Sequence, residues 1–128
     1  MMGIPRMRYH HLGVPTEIPR KDEVFLADFG VHVSSYRANP FGIEWMRYEE
    51  DSSLPEMVKT LPHLAFQVED LDAALEGREL LIPPNSPSGG VRVAFIVHDG
   101  APVEFLEFDD DHPDRLPEKV DGEGVKHG

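Results

Sequence analysis

The sequence predicts an α+β domain in which two βαβββ units form a curved mixed sheet around a central site, with the first helix shortened. Three observations predict it. Short segments rich in β-forming residues recur between turn signals, and a helix-compatible stretch follows the first segment of the second half. The chain holds 12 prolines and 11 glycines, which favours turns and strands over long helices. A faint internal repeat, HLGV from His11 and HLAF from His63, recurs after roughly 50 residues, a period suited to one supersecondary unit.

Met1–Arg8 is a short basic lead-in. Tyr9–Val14 (YHHLGV) reads as the first strand, ended by Pro15. Thr16–Asp28 carries Pro19 and a charged cluster, so it reads as a loop with at most a short helix near Val24–Ala27. Phe29–Tyr36 alternates as a strand does, Asn39-Pro40 signals a turn, and Phe41–Tyr48 (FGIEWMRY) is the next strand. Glu49–Thr60 is a polar loop with one helical turn around Pro55–Lys59. The second unit opens with His63–Val68, whose Leu64, Phe66 and Val68 share a face. Glu69–Gly77 is a short helix with Asp70 as N-cap and Gly77 as stop. Glu79–Ile82 is a brief strand and Pro83–Gly90 a turn-forming loop. Val91–Val97 and Ala101–Phe108 pair as a hairpin about Asp99-Gly100. These elements place a single domain in residues 1–108, with units at about 8–50 and 61–108. Residues 109–128 hold seven acids and three bases and read as an acidic, flexible tail.

Composition excludes several function classes. The 24 acidic and 12 basic side chains give a net charge of −12, which would repel a nucleic-acid backbone. The absence of cysteine removes disulfides, iron–sulfur clusters, thiolate zinc sites and a cysteine nucleophile. No apolar run approaches the ~18 residues of a membrane span, and no signal-peptide pattern opens the chain. A cytoplasmic protein acting on a small molecule is the expectation. Pro87–Gly90 lacks the lysine and glycine spacing of a phosphate-binding loop, and no GxSxG elbow is present. Glu69–Asp72 lacks the pattern of a calcium loop and suits a helix start instead.

Four side chains hold matching places in the two units. His11 lies on the first strand of unit one and Glu44 on its last. His63 lies on the first strand of unit two and Glu104 on its last. Each has an ordinary reading when taken alone, as a packed histidine or the polar side of a strand. Of His10 and His11, only one is expected to face the site, because neighbours on a strand point oppositely. The signal lies in the matched placement. Two imidazoles and two carboxylates suit one divalent ion such as Zn, Ni, Co, Fe or Mn.

These residues and their surroundings resemble the vicinal oxygen chelate superfamily, which holds glyoxalase I, methylmalonyl-CoA epimerase, the fosfomycin and bleomycin resistance proteins and the extradiol dioxygenases. The likeness runs from Tyr9 to Phe108. It is strongest in PHLAFQVEDLDAAL and in GGVRVAFIVHDGAPVEFLEF, where an acid follows a glycine turn. Counting from Gly100 puts Glu104, rather than Glu107, at the last metal position. YHHLGV puts His11 in the first ligand slot, and FGIEWMRY puts Glu44 in the second. The resemblance therefore implies His11, Glu44, His63 and Glu104 as metal ligands, closest in pattern to glyoxalase I. It also implies a homodimer, with the ligands drawn from one chain or from two. Two departures bear on the substrate. Pro15 ends the strand where glyoxalase I usually carries a glutathione-holding arginine, and Arg47-Tyr48 stand where it commonly has an asparagine.

A divalent ion on such a set would act as a Lewis acid on two neighbouring substrate oxygens and stabilise an enediolate. Either Glu44 or Glu104 can serve as the catalytic base that moves the proton. The expected function is thus a glyoxalase-like lyase or isomerase for a small α-oxygenated carbonyl compound. The alternative is a non-catalytic, drug-sequestering binding protein of the same fold, for which the acidic charge would suit a cationic ligand.

Overall fold

The computed structural model describes residues 6–117. Residues 1–5 of the basic lead-in and 118–128 of the acidic tail lie outside the described residues. Eight strands are present: β1 (Met7–Pro15), β2 (Val24–Leu26), β3 (Val31–Val33), β4 (Ile43–Tyr48), β5 (His63–Val68), β6 (Glu79–Asn85), β7 (Val91–His98) and β8 (Ala101–Phe108). Two short helices, α1 (Glu56–Thr60) and α2 (Leu71–Leu75), accompany them. The strands form one sheet in the order β2-β3-β4-β1-β5-β8-β7-β6.

Read outward from the β1/β5 seam, both halves have the same plan. β1 and β5 pair antiparallel, each then pairs in parallel with the last strand of its own unit, and two antiparallel strands complete each half. The sheet curls into a half-barrel consistent with paired βαβββ modules, as the sequence predicts. None of the described helices is long and apolar enough to cross a membrane.

Several local expectations need correction. Val24–Ala27 does not form a helix; Val24–Leu26 is a strand that pairs with β3. Four residues are too few to nucleate a helix, and Val24 and Phe25 favour extended backbone. The Phe29–Tyr36 strand shrinks to Val31–Val33. Before it, Gly30 takes φ +63 and donates to Leu26 O, closing a turn. After it, Ser35 caps a 3-10 turn at Tyr36–Ala38 by accepting from Arg37 N. β6 runs on through Pro83 and Pro84 to Asn85, which is possible because it is an edge strand where missing donors cost no ladder bond.

The two units cover their outer faces differently. In unit two, Leu71 and Ala74 of α2 pack on Val68, Ala94, Ile96 and Phe105. Asp70 starts that helix by accepting from Ala73 N at 3.2 Å. In unit one, polar contacts from the segment after β1 stand where a helix is expected. Glu23 accepts two bonds from Arg47 at 2.9 and 2.7 Å, Asp22 accepts from Ser34 at 3.0 Å, and Arg20 lies over the Trp45 ring. The Arg47 guanidinium holds the Glu23 carboxyl down to about 2.

The described part of the tail, residues 109–117, passes back across the sheet. Asp109 N donates to Gly90 O at 2.8 Å. The Gln67 amide bonds both the N–H and the carbonyl of Leu116. Arg37 donates to Pro113 O at 2.8 Å and to Asp114 Oδ1 at 2.6 Å.

Candidate metal centre

Register brings the four expected side chains to one place. Gly13 of β1 faces Glu44 of β4 on one side and His63 of β5 on the other. In the next row, His11 of β1 faces Ala65 of β5, which faces Glu104 of β8. Each row thus has a small residue at its centre and a histidine and a glutamate at its ends. All four side chains come together within a single copy of the chain. The small centres leave room for the rings and carboxylates to lean together, and the His63 ring lies directly over Gly13.

His11 Nε2 is 3.1 Å from Glu44 Oε1 and 3.4 Å from Glu104 Oε1, and His63 Nε2 is 3.2 Å from the same Glu104 oxygen. His11, His63 and Glu104 are buried, with one donor atom from each within 4.8 Å of the others. Glu44 touches His11 but stands outside that compact trio, and its side chain is 21% exposed. Phe95 packs edge-on against His63 at 4.8 Å, and Tyr36 stacks on His11 at 5.6 Å.

Electrostatics bind the group together. Burial presses His11 towards its neutral form, but the carboxylates of Glu104 and Glu44 outweigh it and raise its pKa to about 10. Burial likewise pushes Glu104 up, and His11 and His63 reverse this, holding it at about 2. Burial raises the Tyr48 phenol, helped by Glu104 and Glu44, so Tyr48 keeps its proton.

The residues fit a cation. His11 Nε2 lies beside two carboxylate oxygens, yet neither approach has the alignment of a hydrogen bond, and the nitrogen is buried without a partner. A positive ion between that nitrogen and the flanking oxygens would satisfy all of them, and nitrogen with carboxylate oxygen is a donor set divalent transition metals accept.

His11, Glu44 and Glu104 line a cavity of about 250 Å³, and His63 stands behind them, outside its lining. Val31, Val33 and Met46 wall it from unit one, and Val91, Val93 and Phe95 from unit two. Asp114, His10 and His112 also reach it, and neither lysine nor arginine lines it among the described residues.

His10 is the residue that strand alternation misses. Tyr9 pairs with Phe66 and His11 with Ala65, so one extra residue, His10, is inserted between consecutive pairs. This bulge turns His10 to the same side as His11. Both rings are buried, and their Nδ1 atoms stand 2.8 Å apart. A repeated histidine at the start of a strand was the available signal. Tyr48 and Asp114 were also missed as cavity residues; Tyr48 follows the period of two set by Glu44 and Met46, whereas Asp114 has no such signal.

No family model matches the chain, and no curated protein matches it. A solved structure does: the crystal structure of hypothetical protein BH1468 from Bacillus halodurans C-125 aligns with a TM-score of 0.62 at 17% identity, covering 88% of this chain and 99% of that one. At that identity the likeness shows the fold.

Proposed function

We propose that the chain is a metal-dependent, glyoxalase-like lyase or isomerase for small α-oxygenated carbonyl compounds, with one divalent ion held by His11, Glu44, His63 and Glu104. The observation that carries this reading is the buried, unpartnered Nε2 of His11 between Glu44 and Glu104 in the lining of an apolar cavity. When bound, the ion would supply Lewis acidity towards neighbouring oxygens of the substrate. The chain's residues do the rest. Glu104 is tied by both histidines, whereas Glu44 meets only His11 and is more open. Glu44 is therefore the carboxylate better placed to take a proton from the carbon beside the carbonyl and return it. Valine, methionine and phenylalanine side chains give that transfer an apolar surrounding.

Wall chemistry also narrows the substrate. Among the described residues the cavity is lined by no lysine or arginine. Neutral compounds with an apolar body therefore suit it better than glutathione adducts or acyl-CoA esters, whose anionic ends would find no cationic side chain in that lining. In a panel of α-hydroxyketones and α-ketoaldehydes against those anionic conjugates, kcat/KM should favour the neutral compounds by at least about tenfold, on the order of 1.4 kcal/mol. Equal or better turnover of the anions would remove this part of the reading. A homodimer belongs to the same proposal. The sheet ends in edge strands β2 and β6, with Val24, Phe25 and Leu80 exposed, and edges call for cover.

The first test is metal content. Protein purified without an affinity tag should carry about one transition-metal ion per chain by plasma mass spectrometry, as one four-donor site requires. A metal-free protein that also refuses zinc, nickel and manganese would overturn the proposal. The drug-sequestering reading would then be tested by calorimetry against cationic glycopeptides, with and without chelator.

A further inference from the structure

His10 is a buried polar side chain that the proposed chemistry leaves unused, yet both its nitrogens are engaged. Nδ1 lies 2.8 Å from His11 Nδ1, and Nε2 lies 2.8 Å from the carbonyl oxygen of Asp114. A carbonyl oxygen only accepts, so His10 Nε2 must carry a hydrogen. The contact between the two Nδ1 atoms needs one donor and one acceptor. If His10 donated, it would hold hydrogens on both nitrogens and be positively charged. That charge would sit on a ring packed against Tyr36 and Phe108 that, among the described residues, makes no ion pair with a carboxylate. If His11 donates, His10 is neutral and any positive charge falls on the ring beside Glu44 and Glu104. The second arrangement is the favourable one.

We infer that His10 is a positioning residue: it accepts the Nδ1 hydrogen of His11 and so presents His11 Nε2 to the Glu44–Glu104 cluster. Three features of the chain build this. The β1 bulge puts the two rings on one side of the strand. The segment after β8 supplies the Asp114 carbonyl, and Arg37 of unit one anchors that segment through Pro113 O and Asp114 Oδ1. A linked series therefore runs from Arg37 through Asp114 and His10 to His11. A histidine whose far nitrogen donates to a fixed acceptor is locked in tautomer and ring orientation, and losing such a partner typically weakens metal binding by about 10–100-fold. The consequence for metal rests on the proposed function; the direction of the hydrogen bond does not.

Two measurements test it. Long-range proton–nitrogen spectra of the full chain, labelled with 15N-histidine and recorded with zinc added and after chelation, read each ring's protonation. His10 should show hydrogen on Nε2 and a bare Nδ1 in both states. A hydrogen on His10 Nδ1 would overturn the inference regardless of metal content. Zinc affinity is then measured by competition with a chromophoric chelator. His10→Phe should bind zinc about 10–100-fold more weakly than wild type. His10→Gln, whose amide supplies an acceptor and a donor, should restore most of the loss. Equal affinity in wild type and His10→Phe would overturn the positioning role. If wild type takes no zinc, the proposed function fails and the spectra still decide the inference.

Discussion

His63→Ala is expected to strip the chain of its metal and of turnover together. The substitution removes a buried imidazole whose Nε2 lies 3.2 Å from Glu104 Oε1. Glu104 would then keep only His11 as a partner, at a looser 3.4 Å. With one of two nitrogen donors gone, retention should fall by roughly a thousandfold, about 4 kcal/mol. The ring also fills space against Phe95 and is 1% exposed, so alanine leaves a void that costs stability as well. His63→Gln keeps most of the volume and separates the two effects: it should fold nearly as well as wild type and still lose metal. Metal content and kcat/KM are measured on all three proteins after identical dialysis. Unchanged metal in either variant would remove His63 from the site and, with it, the proposed function.

That such a group could be anticipated at all follows from the repeat. HLGV and HLAF align His11 with His63 and Gly13 with Ala65, and strands β4 and β8 occupy equivalent positions. Once two copies of a unit are joined along equivalent strands, residues at matching positions must approach the seam between them. Runs of β-forming residues bounded by turn signals were sufficient to place β5, β7 and β8. They were insufficient for unit one. Val31–Val33 and Val24–Leu26 are three residues each, too short to stand out as such runs, and they owe their pairing to one another. The bulge at His10 had no reading in the sequence, because register is set by the partner strand. The path of residues 109–117 was equally hidden: it depends on contacts with Gln67 and Arg37, far away in the chain.

The two halves of the site are alike in plan and unlike in their central residue. His11 faces Ala65 across the seam, and His63 faces Gly13. One histidine thus tolerates a methyl group opposite and the other lies where a methyl group would be. Two of the three clustered donors, His63 and Glu104, come from unit two. The trio of His11, His63 and Glu104 therefore leans towards unit two, and Glu44 is left at its edge with greater exposure. This asymmetry makes the two carboxylates chemically different even though they occupy equivalent strands. Under the proposed function, Glu104, with two histidine partners, would be the holding group, and Glu44, with one, the group that moves a proton.

Gly13→Ala puts that central difference to the test. A Cβ at position 13 would stand 2.1 Å from His63 Cε1, 2.6 Å from Nε2 and 2.7 Å from Nδ1. No rotation of a methyl group relieves contacts this close, so the ring has to leave, and Phe95 blocks its other side. Overpacking of this kind costs about 1–3 kcal/mol. The displaced ring also carries Nε2 away from Glu104, so metal retention should fall as it does in His63→Ala. Urea denaturation of Gly13→Ala, His63→Ala and the double variant gives a complete cycle. With the ring already absent, the added methyl group occupies empty space, and the double variant should be more stable than the sum of the single losses by about 1–3 kcal/mol. Strict additivity, or metal retained in Gly13→Ala, would mean that the ring does not lie over Gly13 and that the row Glu44–Gly13–His63 is not what brings the site together.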